Sequence, residues 1–475
     1  MPPVNKFPVE ILCKIFSNAL RFSPSSILPS QFALHQANLV LLNITAVCSH
    51  WRLAALEYAT LWTTIAFSTS VRSTIQCAAL FLVRSKEALL SVHIVGTGYP
   101  RDFETAQSCR GLIKAIARQS HRFSTCEFSS TSHSFWNHWS FPAPNLRKLT
   151  VQGYRTGAPP IFCGQVPSLE SVTLLQYSPW PLGNYLSLRR ADLQNRSRNV
   201  SLASLLDVLR GCEALEELTL YGYSRLTNDV PHPAPVHLPR LFKLIFSSCQ
   251  SALILEHLET PSLEGSVTIF DMNPGQDILH SLPRDQSKAP PCLRKITELR
   301  IVLRSYSSQY HITGYGEDGS AALYIAVCGV DHWFRWTWVR ASIEAISSFT
   351  HFSRTRNLIL STDTPFISWH SWLPNLSHLR ELTVSCPRSE DLLRGLLEYS
   401  LQTGLPLCPS LQNLGLHQCG GRAVIDHTSL IKLVMSRYKA GRPLRQLNLQ
   451  KDEWDWIQQL DGSWVALAKS QGTFS

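Results

Sequence analysis

Thirteen cysteines and seventeen histidines are the side chains of this 475-residue chain with the widest choice of chemistry. Their thiolates and imidazoles could hold a structural zinc ion, or the thiols could pair as disulfides. The cysteines are odd in number, however, and the sequence has no CxxC pair and no recurring Cys/His ligand spacing. We therefore expect reduced, mostly buried thiols, and we expect no metal site and no cofactor.

The sequence also lacks several short motifs that mark common enzyme sites. The patterns GxxxxGK[ST], HExxH and GxSxG, which serve phosphate binding, zinc proteolysis and ester hydrolysis, do not occur. One glycine-rich run, GYGEDG at 314–319, has no lysine and no following helical pattern, so it predicts a turn between two strands. We expect a protein that is not an enzyme.

The composition of the chain argues against further classes of protein. Hydrophobic residues make up 44% of the chain and charged residues 16%, which is typical of a folded protein with a large core. The N-terminus lacks a secretory pattern and no apolar run approaches the roughly 18 residues of a membrane span. We expect a cytoplasmic or nuclear protein that does not enter a membrane.

The basic excess, 44 Lys and Arg against 34 Asp and Glu, gives a net charge of +10. These cations are dispersed as singles and pairs, which favours a moderately basic surface over a nucleic-acid-binding stripe. An acidic protein target remains a hypothesis. A nucleic-acid-binding protein would need its Lys and Arg side chains aligned along one face.

The elements that position binding side chains are clearest near the N-terminus, where large apolar residues recur at helical spacing. In the first segment they are Ile11, Leu12, Ile15, Phe16 and Leu20, and in the second they are Val40, Ile44, Val47, Trp51, Ala54 and Tyr58. Pro8 and Glu10 are typical of the first turn of a helix. A small number of helices cannot bury all of these apolar side chains among themselves. A partner or the following domain must therefore cover the side chains that remain exposed.

These segments resemble an F-box in the version common in basidiomycete fungal proteins, whose pattern reads LPxEILxxIF, a loop, VCxxWRxxAL and a final LW pair. The matching residues are Pro8, Glu10, Ile11, Leu12, Ile15, Phe16, Val47, Cys48, Trp51, Arg52, Ala55, Leu56, Leu61 and Trp62. The resemblance implies an adaptor that docks on a Skp-type subunit of a cullin-based (SCF) ubiquitin ligase, while the rest of the chain selects a protein target.

The resemblance assigns adaptor contacts to Pro8, Ile11, Leu12, Ile15, Phe16, Val47, Cys48, Trp51, Arg52, Leu56, Leu61 and Trp62. Truncation of Trp51 to alanine should cost about 3–5 kcal/mol if its ring is fully buried. The chain departs from the pattern in a long loop insertion at about 21–31, in Phe7 for leucine and in Ala59 for proline. Two alternatives remain, which are ordinary core helices and a repeat scaffold whose F-box no longer engages a ligase.

Beyond residue 66 the dominant signal is repetition of the template LxxLxL. Leu149, Val172, Leu218, Leu244, Leu382, Leu414 and Leu447 occupy one register of it, and helical patterns separate several of the units. A short strand plus a helix in each unit is typical of leucine-rich repeats. We predict an α/β repeat fold, with an all-helical F-box at 1–66 and an irregular leucine-rich-repeat-like solenoid of short parallel strands and outer helices at 67–475. The template is interrupted at about 305–341 by an insertion or a degenerate repeat.

Two aromatic runs have two interpretations each. WFRWTWV contributes Trp333, Phe334, Trp336 and Trp338 as candidate substrate-binding residues, because tryptophan is enriched at interface hot spots. The alternative is that one face of this run packs on the core. The run with Phe135, Trp136, Trp139 and Phe141 has the same two interpretations.

Overall fold

The computed structural model of the chain describes most of its residues. The described ranges are 7–20, 31–96, 103–130, 133–153, 161–175, 185–195, 200–224, 226–227, 233–270, 281–283, 285–303, 309–328, 354–362, 369–386, 389–398, 406–418 and 426–449. The loop insertion predicted at 21–31 lies outside them apart from Gln31, and Trp333, Phe334, Trp336 and Trp338 also lie outside. Contacts divide the chain into two units, residues 1–198 with 207–215 and residues 199–206 with 216–475.

Three helices open the first unit. They are α1 (Val9–Ala19), α2 (Gln31–Ala46) and α3 (Ser49–Glu57), followed by a short 3₁₀ helix at Ala59–Trp62. The Pro8 carbonyl accepts the amides of Ile11 and Leu12 at 3.0 and 3.2 Å, which starts α1. The second apolar segment is two helices rather than one, because Cys48 adopts an extended backbone and its Sγ accepts the Trp51 amide at the start of α3.

Six parallel strands follow in the first unit and pair in chain order. They are β1 (Thr64–Ser68), β2 (Leu90–Gly96), β3 (Phe123–Ser130), β4 (Lys148–Gln152), β5 (Ser171–Leu175) and β6 (Arg190–Gln194). The helices α4 (Arg72–Arg84), α5 (Phe103–Ala117) and α6 (His133–Trp136) lie between strands, with 3₁₀ turns at Ser120–Arg122 and Ile161–Gly164. Each long helix links one strand to its parallel neighbour, which is the crossover that a parallel pair requires.

An aromatic cluster fills the interior beside these strands. Trp139 stacks on Phe128 with ring centroids 4.2 Å apart, and Phe135 and Phe162 contact the same pair. Phe135, Trp136 and Trp139 are buried. The core-packing interpretation of this run is therefore confirmed for these three residues, whereas Phe141 is exposed.

The second unit holds the remaining elements. Its strands are β7 (Val200–Ser201), β8 (Glu217–Tyr221), β9 (Leu226–Thr227), β10 (Val236–His237), β11 (Lys243–Ser247), β12 (Leu258–Glu259), β13 (Ser266–Phe270), β14 (Glu298–Leu303), β15 (Gln309–Tyr315), β16 (Ala321–Cys328), β17 (Asn357–Thr362), β18 (Glu381–Cys386), β19 (Asn413–Gln418) and β20 (Gln446–Leu449). The helices are α7 (Leu202–Arg210, which crosses both units), α8 (Ser251–Leu255), α9 (Pro291–Arg294), α10 (Trp369–Trp372), α11 (Glu390–Leu397) and α12 (His427–Lys439), with 3₁₀ turns at Gln286–Lys288 and Leu373–Asn375.

The main sheet of this unit has the order β8-β11-β13-β16-β15-β14-β17-β18-β19-β20. All neighbours are parallel except β15, which is antiparallel to both β14 and β16. The interruption predicted at about 305–341 thus contains β15 and β16, which form a meander with the preceding strand β14. The turn predicted for GYGEDG is confirmed between β15 and β16, where Gly319 adopts a φ of +76° and Asp318 Oδ1 accepts the Ser320 amide.

The leucines of the template form continuous inward rows. Leu149 pairs with Val172 in the first unit. In the second unit Leu218 pairs with Leu244, and Leu382, Leu414 and Leu447 follow one another on adjacent strands. The predicted register is confirmed within each unit. The chain is therefore an N-terminal helical region followed by a large mixed α/β region with long strand ladders.

One buried cation joins two neighbouring elements near the end of the described chain. Arg437 of α12 is fully buried, and its guanidinium donates to the carbonyls of Leu407, Cys408 and Leu411 at 2.9–3.3 Å. These carbonyls belong to the turn that leads into β19. The guanidinium satisfies backbone acceptors that no strand or helix uses at this point.

Candidate functional site

The helix α1 places its large apolar side chains on two faces. Leu12 and Phe16 are completely buried, whereas Ile11 and Ile15 are 45% and 46% exposed. Each exposed isoleucine precedes a buried neighbour by one residue, about 100° around the helix. The apolar face predicted for α1 is therefore divided into a buried half, with Leu12 and Phe16, and an exposed half, with Ile11 and Ile15.

The junction of α2 and α3 is the second exposed region. Val47 and Leu53 are both 60% exposed, on either side of the Cys48 cap. Arg52 Nε donates to the Thr45 carbonyl at 2.9 Å, which fixes the angle between the two helices. Leu53 was not among the predicted contacts, although it directly follows Trp51 and Arg52 of the matched pattern. Its exposure becomes visible only in the folded structure.

Other exposed apolar residues flank these two regions. Together with the four above they form what we call the exposed apolar set, which is Phe7, Val9, Ile11, Ile15, Leu39, Val47, Leu53 and Tyr58. The helices that carry the set contact one another, since α1 packs on both α2 and α3. A set of this size on so few helices is typical of an interaction site.

Trp51 is half-buried rather than fully buried. Its ring lies 5.0 Å from that of Phe16 at an interplanar angle of 58°. Its Nε1 is shielded from solvent and has no hydrogen-bond acceptor among the described residues. The condition attached to the predicted cost of 3–5 kcal/mol is not met, and a smaller cost is expected for Trp51→Ala.

Trp62, the second tryptophan of the matched pattern, is completely buried. Its Nε1 donates to the Ala55 carbonyl at 2.7 Å, and its ring meets the edge of Phe81 of α4 at 4.9 Å. The Arg84 guanidinium lies 4.3 Å from the centre of the same ring. Trp62 thus links α3 to the first crossover helix, α4, and its neighbour Leu61 is buried as well.

Burial shifts the pKa of titratable groups in this region. Burial raises the pKa of the Cys13 thiol, with a smaller contribution in the same direction from the Glu10 charge. The thiol therefore stays neutral and acts as a small apolar group beside Leu12. Burial also lowers the pKa of Arg84, which lies against Trp62.

A polar cluster on the first sheet has the connectivity of a nucleophile, a base and an orienting carboxylate. Ser91 Oγ lies 2.9 Å from His93 Nε2, and His93 Nδ1 lies 2.9 Å from Glu127 Oε2. Ser91 lies at the start of β2 and is paired with both β1 and β3, however, and its amide donates to the Thr63 carbonyl at 2.9 Å. An oxyanion would need such an amide, so this geometry is that of a hydrogen-bonded ladder across β2 and β3 rather than of a hydrolytic site.

Across the described ranges, no group of three or more His, Cys, Asp or Glu side chains is placed to hold a metal ion. None of the described helices combines the length and the apolar character needed to cross a membrane.

Comparison with known proteins identifies the helical region. A family model described as F-box-like matches residues 4–68. No curated protein matches the chain. The matched range contains α1, α2, α3 and the 3₁₀ turn with Trp62, and it ends with the last residue of β1. Residues 4–68 therefore constitute an F-box-like domain.

Proposed function

We propose that this protein is a substrate receptor of an SCF-type E3 ubiquitin ligase. F-box domains generally bind Skp1-type proteins. The observation that carries the proposal is the exposed apolar set, eight large side chains on and beside the three short helices of the F-box-like domain. A Skp-type subunit would cover this set and connect the chain to the cullin scaffold.

The burial of each residue assigned to the adaptor contact indicates the role it would have. Ile11, Ile15 and Val47 are exposed enough to touch a partner, and covering each half-exposed side chain would contribute about 1 kcal/mol. Leu12, Phe16, Leu61 and Trp62 are buried, so they would hold the exposed side chains in place rather than meet the partner. Cys48 and Arg52 fix the α2–α3 junction through their bonds to Trp51 and Thr45.

The large region that follows would select the target. We infer that it is an irregular leucine-rich-repeat-like solenoid, as in the basidiomycete type of F-box protein. The parallel pairing of Leu382, Leu414 and Leu447 on successive strands supports this inference, as do the helices α11 and α12 between those strands.

A receptor of this kind contributes no catalytic group. Rate enhancement would come from holding the target close to the ubiquitin-loaded enzyme of the ligase. Ser91, His93 and Glu127 would be structural members of the sheet in this scheme. Localisation in the cytoplasm or nucleus, where such ligases act, belongs to the same proposal.

The test is co-expression of the full-length chain with a fungal Skp-type subunit, followed by pull-down. We compare the wild type with Ile15→Asp and with the matched control Val83→Asp, which changes a 77% exposed apolar residue of α4 outside the F-box-like domain. Charge in an apolar contact should reduce the retained subunit at least about tenfold for Ile15→Asp, or 1.4 kcal/mol. Retention by Val83→Asp should match the wild type.

Circular dichroism of each variant checks that both are folded. If Ile15→Asp retains as much Skp-type subunit as the wild type, α1 is not part of the docking surface. If the folded wild type retains no Skp-type subunit, the proposal fails. The alternative, a non-catalytic repeat scaffold with a non-engaging F-box, would then be favoured.

A further inference from the structure

A cavity of about 630 Å³ lies in the second unit beside the short parallel ladder of β10 and β12. The chain around β12 contributes every residue from 256 to 261 to the lining, whereas the chain around β10 contributes alternate residues, Pro233, Pro235 and His237. Alternate residues of an extended chain share one face, and consecutive residues are reached together only at its edge. The cavity therefore lies against one face of β10 and along an edge of β12.

That edge of β12 carries no other strand of the described chain. The Val236 and Leu238 amides donate to the His257 and Glu259 carbonyls at 2.8 and 2.9 Å, which uses the edge of β12 that faces β10. In a parallel ladder the residue between them, the buried Leu258, directs its amide and carbonyl to the opposite edge. The described sheets pair β12 with β10 alone, so this second edge can accept one more strand.

The wall across the cavity from β12 cannot supply that strand. It is formed by the segment that leads into α9, where Pro290 and Pro291 have no amide to donate and a fixed backbone angle. The Arg294 guanidinium holds this segment in place, since its Nη2 donates to the carbonyls of Ser287 and Ala289 at 2.8 and 3.1 Å. The gap between the wall and β12 is therefore built into the fold.

The lining is rigid and poor in backbone donors. Its prolines are Pro233, Pro235, Pro261, Pro290 and Pro291. Their rings present apolar surface, and none of them has an amide N–H. A pocket of this kind is largely preformed, and its few polar groups set the orientation of what it binds. Here those polar groups are the open edge of β12 and the charged side chains at the rim.

Two rim charges of opposite sign set the chemistry of the occupant. Glu256 lies on the β12 side and Lys288 on the opposite wall. Neither side chain has an ion-pair partner among the described residues. Glu259 is different, because its Oε2 lies 3.6 Å from His237 Nδ1. An occupant with a basic group toward Glu256 and an acidic group toward Lys288 would complement both charges.

Size separates the kinds of occupant. The edge from 256 to 261 is about 20 Å long in an extended chain, which matches a strand of about five or six residues. A stable dimer buries roughly 800 Å² on each partner, far more than this cavity offers to a second copy of the chain. A compact small molecule would leave most of the edge unpaired. An extended peptide fits both the length and the backbone groups.

We propose that this cavity binds a short extended peptide segment of a partner protein, which pairs with the open edge of β12 as a third strand. The segment places apolar side chains against the proline rings, one basic side chain toward Glu256 and one acidic side chain toward Lys288. The site lies outside the F-box-like domain and away from the faces of the main sheet. It needs no Skp-type subunit and does not rest on the function proposed above.

The experiment selects random seven-residue peptides, displayed on phage, against the immobilised full-length chain. Enriched peptides are synthesised with a fluorescent label, together with series that carry one N-methylated amide at each position. Their affinities are measured by anisotropy for the wild type, Lys288→Glu and the matched control Arg240→Glu, an exposed cation outside the lining. Hydrogen exchange locates the bound peptide on the wild type, and thermal melting shows that each variant is folded.

N-methylation should lower the affinity at least about tenfold at alternate positions of the peptide and have little effect at the others, because only alternate amides of a strand face its neighbour. Exchange should slow at the amides of residues 256–261. Lys288→Glu should weaken peptides with an acidic residue about fivefold, and replacing that residue by lysine should restore binding. Arg240→Glu should bind as the wild type does.

Four results would overturn the proposal. The first is enrichment no higher than on a blank surface, and the second is affinity that survives N-methylation at every position. The third is exchange protection that omits residues 256–261. The fourth is an equal effect of Lys288→Glu and Arg240→Glu in folded variants, which would reduce the charge preference to the net charge of the chain.

Discussion

Truncation of Trp62 should destabilise the protein much more than truncation of Trp51, although both belong to the same F-box-like pattern. Trp62 is completely buried, meets Phe81 edge-on and donates to the Ala55 carbonyl. Deleting such a ring costs about 3–5 kcal/mol, and the orphaned carbonyl adds about 1 kcal/mol. Trp51 is half-buried against Phe16 and donates no hydrogen bond among the described residues, so about 2 kcal/mol is expected for Trp51→Ala.

The assay combines urea denaturation of the full-length variants with native-state hydrogen exchange, because a two-unit chain need not unfold in one step. Exchange at the amides of α3 and α4 reports the local free energy of opening. In Trp62→Ala the exchange rate of these amides should rise about a thousandfold, which corresponds to a loss of about 4 kcal/mol in the free energy of opening. For Trp51→Ala the change should stay near thirtyfold and be confined to α1 and α3.

Equal effects of the two truncations would refute this reasoning, and so would a larger effect at Trp51. Either result would mean that burial does not set the cost at these positions. Trp62→Phe supplies a control that keeps an aromatic ring at this position and removes the indole donor together with a part of the ring volume. It should lose about 1–2 kcal/mol.

Two further predictions concern buried ionisable groups. Arg437→Met removes the donors to the carbonyls of Leu407, Cys408 and Leu411, so a loss of about 3 kcal/mol is expected, and a melting temperature within about 1 °C of wild type would contradict it. Burial raises the pKa of Asp192 above its ordinary 3.8, so the folded state keeps this proton to higher pH than the unfolded chain does and stability falls as pH rises through that range. Asp192→Asn should therefore melt higher than wild type near pH 7, and calorimetry should show the gain shrinking toward pH 3. A gain that is independent of pH would exclude this cause.

The sequence predicted the helical region well but not the division of its side chains. Spacing at three and four residues identified α1, and it treated Ile11 and Leu12 alike. Which of them is buried depends on where α3 and Phe16 pack, and that is tertiary information. The break at Cys48 was also missed, because a cysteine rarely caps a helix and its Sγ becomes a cap only when the backbone is already extended.

The leucine rows were predictable for a different reason. Alternation along a strand decides the face of each side chain, so Leu218, Leu244 and Leu414 fell into register without any knowledge of the connections. The meander was harder to predict, since its strands β15 and β16 have no LxxLxL template. The contact between Phe270 and Tyr324 has no local signal either, because the two residues are far apart in sequence and meet only in the assembled sheet.

The single reversed strand β15 has a consequence for how such a chain can grow or shrink. The meander β14, β15 and β16 contains an odd number of strands, so β14 and β16 run in the same direction and the ladders on both sides stay parallel to each other. An insertion of a single strand would instead leave the strands of one flank running in the opposite direction. The inserted hairpin of β15 and β16 therefore leaves the direction of the neighbouring strands unchanged. It allows units to be gained or lost on either side while every remaining strand keeps its direction and its buried face.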